Sequence, residues 1–146
     1  MQTVTDTPLP RRDYIKTYRG DPLGATIEDR LARLRENLAR TGLAADIVAA
    51  DALDWTPDAP FDAILLDAPC SGLGVIRRNP DTKWTRKQAD IHRSARKQLG
   101  LLNALAGRLK PQGRLVYAVC STEPEETLEV IKSFLKDRPD FGIDDP

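Results

Sequence analysis

At 146 residues the chain has room for one packed core, and its 40% hydrophobic and 30% charged residues argue against a disordered chain or a membrane protein. No apolar run approaches the ~18 residues of a membrane helix, and MQTVTDTPLPRRDY lacks the basic-then-apolar layout of a secretory signal, so a cytoplasmic location with no membrane partner is expected. Two cysteines are too few for a disulfide framework and one histidine leaves a metal site short of ligands, so free thiols and no metal are expected.

The 22 basic and 22 acidic residues cancel over the chain but not along it. Residues 1–71 carry 8 basic and 12 acidic side chains, residues 72–110 carry 10 and 2, and residues 111–146 carry 4 and 8. A basic middle segment suits a polyanion, since each Lys or Arg can neutralise a phosphate. Charge alone equally fits a solvated helix face.

Residues 1–25, with Pro8, Pro10, Gly20, Pro22 and Gly24, read as a mostly irregular arm ahead of a domain over 26–146. A helix is predicted from Glu28 to Thr41, its apolar face made by Ile27, Leu31, Leu34 and Leu38, capped by Thr26 and ended by Gly42. DIVAA (46–50) and FDAILL (61–66) read as buried strands, placing Asp51 and Asp67 at strand C-termini.

A loop follows over 71–85, then a helix over 86–109 with Ile91, Ala95, Leu99, Leu102, Ala106 and Leu109 as its stripe, although Gly100 and Gly107 each cost ~1 kcal/mol against alanine. Pro111–Gly113 reads as a turn into a strand, RLVYAV (114–119). Thr122 and Glu125 have capping-box spacing and predict a helix buried along Leu128, Ile131 and Leu135, ended by Arg138 and Pro139. Apolar strands alternating with helices imply an α/β fold, a parallel sheet covered on both faces.

Ligands of open α/β sheets bind beyond the strand C-termini, where Asp51, the run Asp67 to Gly72, and Cys120-Ser121-Thr122 fall. Cys70 and Cys120 both follow a strand, so the two thiols are expected on one side of the sheet within roughly 10 Å of each other. A helix opening just after Cys120 would favour its thiolate, whereas a single cysteine is more often a buried structural residue. Trp84 is read as core rather than as a stacking surface, His92 as a partly exposed structural residue, and Tyr117 as strand packing with a satisfied hydroxyl.

FDAILLDAPCSGLGVIRRNPDTKW (61–84) followed by LVYAVCSTEPEE (115–126) resembles the RNA cytosine-C5 methyltransferases of the Fmu/Sun group, in particular the small-subunit ribosomal RNA branch. The resemblance spans about Glu28 to Phe141 and rests on DAPCS and CS-x-x-PEE, which are specific motifs. It implies a Rossmann-like methyltransferase sheet, S-adenosylmethionine as cofactor and RNA, expectedly 16S ribosomal RNA, as substrate. It also implies Cys120 as the thiolate that adds to carbon 6 of cytosine, Asp67 as the carboxyl near its N3, and Cys70 as the thiol that assists product elimination.

By the same resemblance Asp51 matches the acidic position at the adenine end of the cofactor and Pro69 presents backbone to the base. Arg77, Arg78, Lys83, Arg86 and Lys87 then face RNA phosphates.

The chain departs from the family upstream. It has no strand followed by a D-x-C-A-A-P-G-G-K loop for the methionine end of the cofactor, and YRGDPLGAT (18–26) lacks the preceding apolar strand. Ala25 stands where the family has the acidic residue that grips the ribose, and Glu28 and Asp29 are the nearby carboxylates that would substitute. The chain also ends before the family's final strands, so a partial catalytic domain, incomplete at both ends, is expected, with the 46–50 strand lacking its usual partners. A non-catalytic RNA-binding or interaction fragment is the alternative reading, whereas a thiol redox protein is disfavoured by the lack of C-x-x-C.

Overall fold

The computed structural model describes the strand Tyr14–Ile15 and residues 26–144, which fall into two compact units divided after Trp55. The strands form two separate two-stranded parallel sheets, β1–β2 and β3–β4.

In the first unit β1 (Tyr14–Ile15) pairs with β2 (Ile47–Val48), Tyr14 opposite Ile47 and Ile15 opposite Val48. The 46–50 strand is therefore shorter than its apolar run and finds a partner inside the segment read as irregular. The rest of that arm, including 18–25, lies outside the described residues. Helix α1 (Ile27–Thr41) opens with a reciprocal cap. The Thr26 hydroxyl accepts from the Asp29 N–H at 3.1 Å, and Asp29 Oδ2 accepts from the Thr26 N–H at 2.9 Å. It ends at Gly42, whose left-handed backbone donates to Ala39. Its leucines are only half-buried and it contributes no fully buried residue.

The second unit holds β3 (Phe61–Asp67), a 3-10 turn (Leu73–Val75), α2 (Thr82–Thr85), α3 (Gln88–Ala106), β4 (Leu109–Ala118), a second 3-10 turn (Pro124–Glu126) and α4 (Leu128–Asp137). Strands β3 and β4 are parallel, in register from Ala63–Arg114 to Asp67–Ala118. Pro111-Gln112-Gly113 is not a turn before the strand but a bulge within it: Phe61 pairs with Leu109, yet Ala63 pairs with Arg114. Gln112 is left-handed, and a Cβ on Gly113 would lie 2.9 Å from the Lys110 carbonyl oxygen and 3.1 Å from that of Asp62, so the bulge has no room for a side chain there.

One sheet face, carrying Leu66 and Tyr117, lies under the helices, where Ile91, Leu101, Leu102, Leu105 and Ala106 of α3 meet Val130 and Phe134 of α4. Apart from Ala106, each such side chain contributes roughly 1.5–3 kcal/mol on burial. Phe141 closes the end of this core edge-to-face on Phe134, with ring centres 5.2 Å apart. The other face, carrying Leu65 and Val116, is open, with Leu65 62% exposed. The expected cover on both faces is thus present on one face of this pair.

Helix α4 differs from its predicted form. It opens at Leu128 rather than Thr122, and its buried residues are Val130 and Phe134. Leu128 is exposed, with Ile131 and Leu135 half-buried. The cause lies before the helix, where Pro124–Glu126 closes a 3-10 turn and the non-helical Thr127 backbone (φ −124, ψ −95) separates it from α4.

Candidate active site

At the C-terminal ends of β3 and β4 the Ala68 N–H donates to the Ala118 carbonyl at 2.8 Å, continuing the pairing one step past Asp67. The two chains then part into Pro69-Cys70-Ser71 and Val119-Cys120-Ser121. The sulfurs of Cys70 and Cys120 lie 3.0 Å apart, within hydrogen-bond reach. Cys120 is exposed and Cys70 half-buried. Burial first, and then the hydrogen bond to Cys120, push the Cys70 thiol up to about 12. Cys70 therefore keeps its proton at neutral pH, and either sulfur can donate to the other.

The helix expected to favour a Cys120 thiolate does not perform that task, because α4 begins eight residues downstream. The group beside the Cys120 sulfur is instead the Cys70 thiol. The Cys120 carbonyl in turn accepts from the Gly74 N–H at 3.1 Å.

Behind the thiols lies a buried polar bed that sequence reasoning missed. Gln98 and Glu126 are fully buried and Ser71 is 2% exposed. Glu126 Oε1 accepts from the Ser71 N–H at 2.7 Å, and its Oε2 accepts from the Ser71 hydroxyl at 2.5 Å. Gln98 Nε2 donates to the Pro69 carbonyl at 2.9 Å and reaches Glu126 Oε1 at 3.4 Å. The Tyr117 hydroxyl lies 2.7 Å from the Glu126 carbonyl and 3.0 Å from Gln98 Oε1, which satisfies it as expected; burial and the facing Glu126 carboxyl raise its pKa.

Polar groups this deep are costly unless bonded, and here each has a partner. Helical spacing carries no signal for Glu126, because the non-helical Thr127 backbone separates its turn from α4.

Asp67 and Pro69 are exposed at the strand end. Arg77, Arg78 and Lys83 are exposed on the segment from the first 3-10 turn into α2. Arg86, exposed as well, turns its Nε to the Ser71 carbonyl at 3.0 Å and so also braces the Cys70 loop. Trp84 corrects the expectation of a core residue: it is 81% exposed, with Lys83 Nζ 5.2 Å from its ring centre. His92 is exposed on α3, beside a shallow groove shared with Arg96, Glu125 and Glu129.

In the first unit Asp51 is exposed three residues after β2, and its Oδ1 accepts from the Leu53 N–H at 3.0 Å. Glu28 is exposed in the first turn of α1. Asp29 is tied into the cap, and the Thr26 N–H and hydroxyl hold its carboxyl below the usual carboxylate range. Among the described residues no helix is long and apolar enough to cross a membrane.

Residues 25–145 match the family model described as 16S rRNA methyltransferase RsmB/F. The chain is 48% identical over 119 residues to the ribosomal RNA small subunit methyltransferase B of Salmonella paratyphi B, and equally to that of Salmonella typhi. Those alignments cover 80% of this chain and 28% of each relative, so the chain spans just over a quarter of the curated relatives it matches. Among solved structures, NSun6 from Pyrococcus horikoshii with SFG superposes with a TM-score of 0.66 at 32% identity, covering 75% of this chain and 28% of that one. A methyltransferase homolog protein from Pyrococcus horikoshii does so with a TM-score of 0.65 at 38% identity, covering 75% and 34%.

Proposed function

From the premise that the chain belongs to the 16S rRNA methyltransferase RsmB/F family, we propose that it carries the thiol half of an active site that methylates carbon 5 of a cytosine in small-subunit ribosomal RNA. The observation that supports this reading best is the Cys70–Cys120 pair, sulfurs 3.0 Å apart at the ends of parallel strands, with burial raising the Cys70 thiol.

Carbon 5 of cytosine is a poor nucleophile. Addition of the Cys120 thiolate to carbon 6 breaks the 5,6 double bond and moves its electrons onto the ring, making carbon 5 able to attack an electrophilic methyl group. Asp67, exposed beside the pair, would face N3 and supply the proton that neutralises the ring as it accepts those electrons. Pro69 would offer backbone to the base. After methyl transfer a base removes the carbon 5 proton, the electrons of that bond restore the double bond, and the Cys120 thiolate leaves. The Cys70 thiol, 3.0 Å from that sulfur, can turn its S–H toward it and stabilise the departing thiolate.

S-adenosylmethionine is the cofactor in this reading, and when bound it supplies the methyl group on a sulfonium. In the first unit the exposed carboxylates of Asp51 and Glu28, and in the second that of Asp67 at the end of β3, are each able to accept from amino or hydroxyl groups such as those of its adenosine part. Asp29 fits less well, because its Oδ2 is occupied by Thr26. Arg77, Arg78 and Lys83 would hold RNA phosphates.

The test uses a full-length protein containing this segment. Cys120→Ala should abolish methyl transfer, because no adduct forms at carbon 6. Cys70→Ala should permit transfer but leave RNA tethered to Cys120, visible as a covalent complex on a denaturing gel. An adduct with Cys120→Ala, or none with a folded, cofactor-binding Cys70→Ala, would overturn the assignment.

A further inference from the structure

The loop that presents Cys70 is anchored on both sides of that residue. On one side the Pro69 carbonyl is held by Gln98, and on the other the Ser71 N–H and hydroxyl are both held by the Glu126 carboxyl. Glu126 is itself fixed to the strand that presents Cys120, since its carbonyl accepts from Tyr117, three residues before Cys120 on β4. A buried acid on a short turn thus joins the two thiol-bearing segments, and its carboxyl oxygens face the Cys70 loop rather than solvent.

We propose that Glu126 is the positioning residue of the thiol pair, setting the distance between Cys70 and Cys120 by clamping Ser71. This rests on the reading of those cysteines as the working thiols, but it concerns their spacing, which can be measured without methyl transfer. An apolar residue of similar size would leave the Ser71 N–H without its acceptor in a buried site, and the loop would move to find another. Glutamine preserves most of the clamp. Its oxygen can accept from the Ser71 N–H, and its amide can donate to a Ser71 hydroxyl that turns its proton toward Ser121, 3.3 Å away.

Phenylarsine oxide applied to this chain reads the spacing. Its trivalent arsenic condenses with two thiols at once: two S–H bonds break, two As–S bonds form, and the arsenic-bound oxygen leaves as water. Only paired sulfurs hold it against excess glutathione. The wild-type chain should retain one equivalent and release it to dithiothreitol, and Cys70→Ala should retain none. Glu126→Ala, shown to be folded by circular dichroism, should lose retention by about tenfold or more, because the effective concentration of one thiol at the other falls. Glu126→Gln should restore it to within about twofold.

If Glu126→Ala does not fold, Glu126→Asp decides, since its shorter side chain withdraws the carboxylate from Ser71 and should lose retention too. Wild-type retention in folded Glu126→Ala or Glu126→Asp, or no rescue by glutamine, would overturn the proposal. Failure of methyl transfer in the full-length enzyme with arsenical capture intact would count against the proposed function alone.

Discussion

Gly74 meets Cys120 backbone to backbone. Its N–H donates to the Cys120 carbonyl at 3.1 Å, and a Cβ at Gly74 would stand 3.0 Å from that oxygen and 3.2 Å from the carbonyl carbon. Gly74→Ala should therefore push the Cys120 peptide back by a few tenths of an ångström, at a cost of roughly 1–3 kcal/mol. Urea unfolding measures the cost, and an unchanged midpoint would show that the two segments separate freely.

The thiols should differ in reactivity and in response to pH. Iodoacetamide should label exposed Cys120 well before half-buried Cys70, as peptide mass mapping after brief treatment will show. The folded state raises the Cys70 pKa from 9.0 to about 12, so between those values the folded chain binds more protons than the unfolded one. The contribution of Cys70 to stability is thus complete below 9 and is lost as pH climbs toward 12. Wild-type chain should lose stability over that interval relative to Cys70→Ala in parallel urea titrations. Parallel curves would contradict the shift.

The Arg77–Lys83 surface should bind single-stranded RNA with strong dependence on salt. Reversal of Arg77, Arg78 and Lys83 to glutamate should abolish retention at low salt in a filter-binding assay. Trp84→Ala, at an exposed site, should change stability by no more than about 0.5 kcal/mol. It should also remove the fluorescence change that RNA produces in the wild-type chain, leaving only the signal of Trp55. Undiminished RNA retention in the triple variant would remove this surface from the proposed interface.

Features set by neighbouring residues were legible in the sequence. Thr26 and Gly42 marked the ends of α1 because caps act within one turn, and FDAILL marked β3 because a short β-branched and leucine run bounded by turns has few alternatives. The meeting of Cys70 and Cys120 followed from strand-end logic without any coordinates. Features set by distant partners were less accessible. Pro111-Gln112-Gly113 reads locally as a turn, and only pairing with Phe61 and Ala63, about fifty residues away, makes it a bulge. Nothing beside Glu126 marks it as buried, because its partner Ser71 arrives from a different loop. Trp84, expected in the core, is exposed, because the packing that decides burial is not written into the residues beside it.

The bulge also bears on how this segment tolerates change in length. Side chains alternate along a strand, so a one-residue slip of β4 against β3 would move one thiol by ~3.3 Å along the sheet and turn it to the opposite face. Between Leu109 and Arg114 the chain already accommodates unmatched residues, and from Ala63–Arg114 onward the pairing is regular to Asp67–Ala118. Insertions or deletions at 110–113 can therefore be absorbed upstream, whereas a single deletion between Arg114 and Cys120 would put the sulfurs out of phase. Relatives that keep both thiols should vary in length at the bulge and hold the six-residue interval from Arg114 to Cys120 constant.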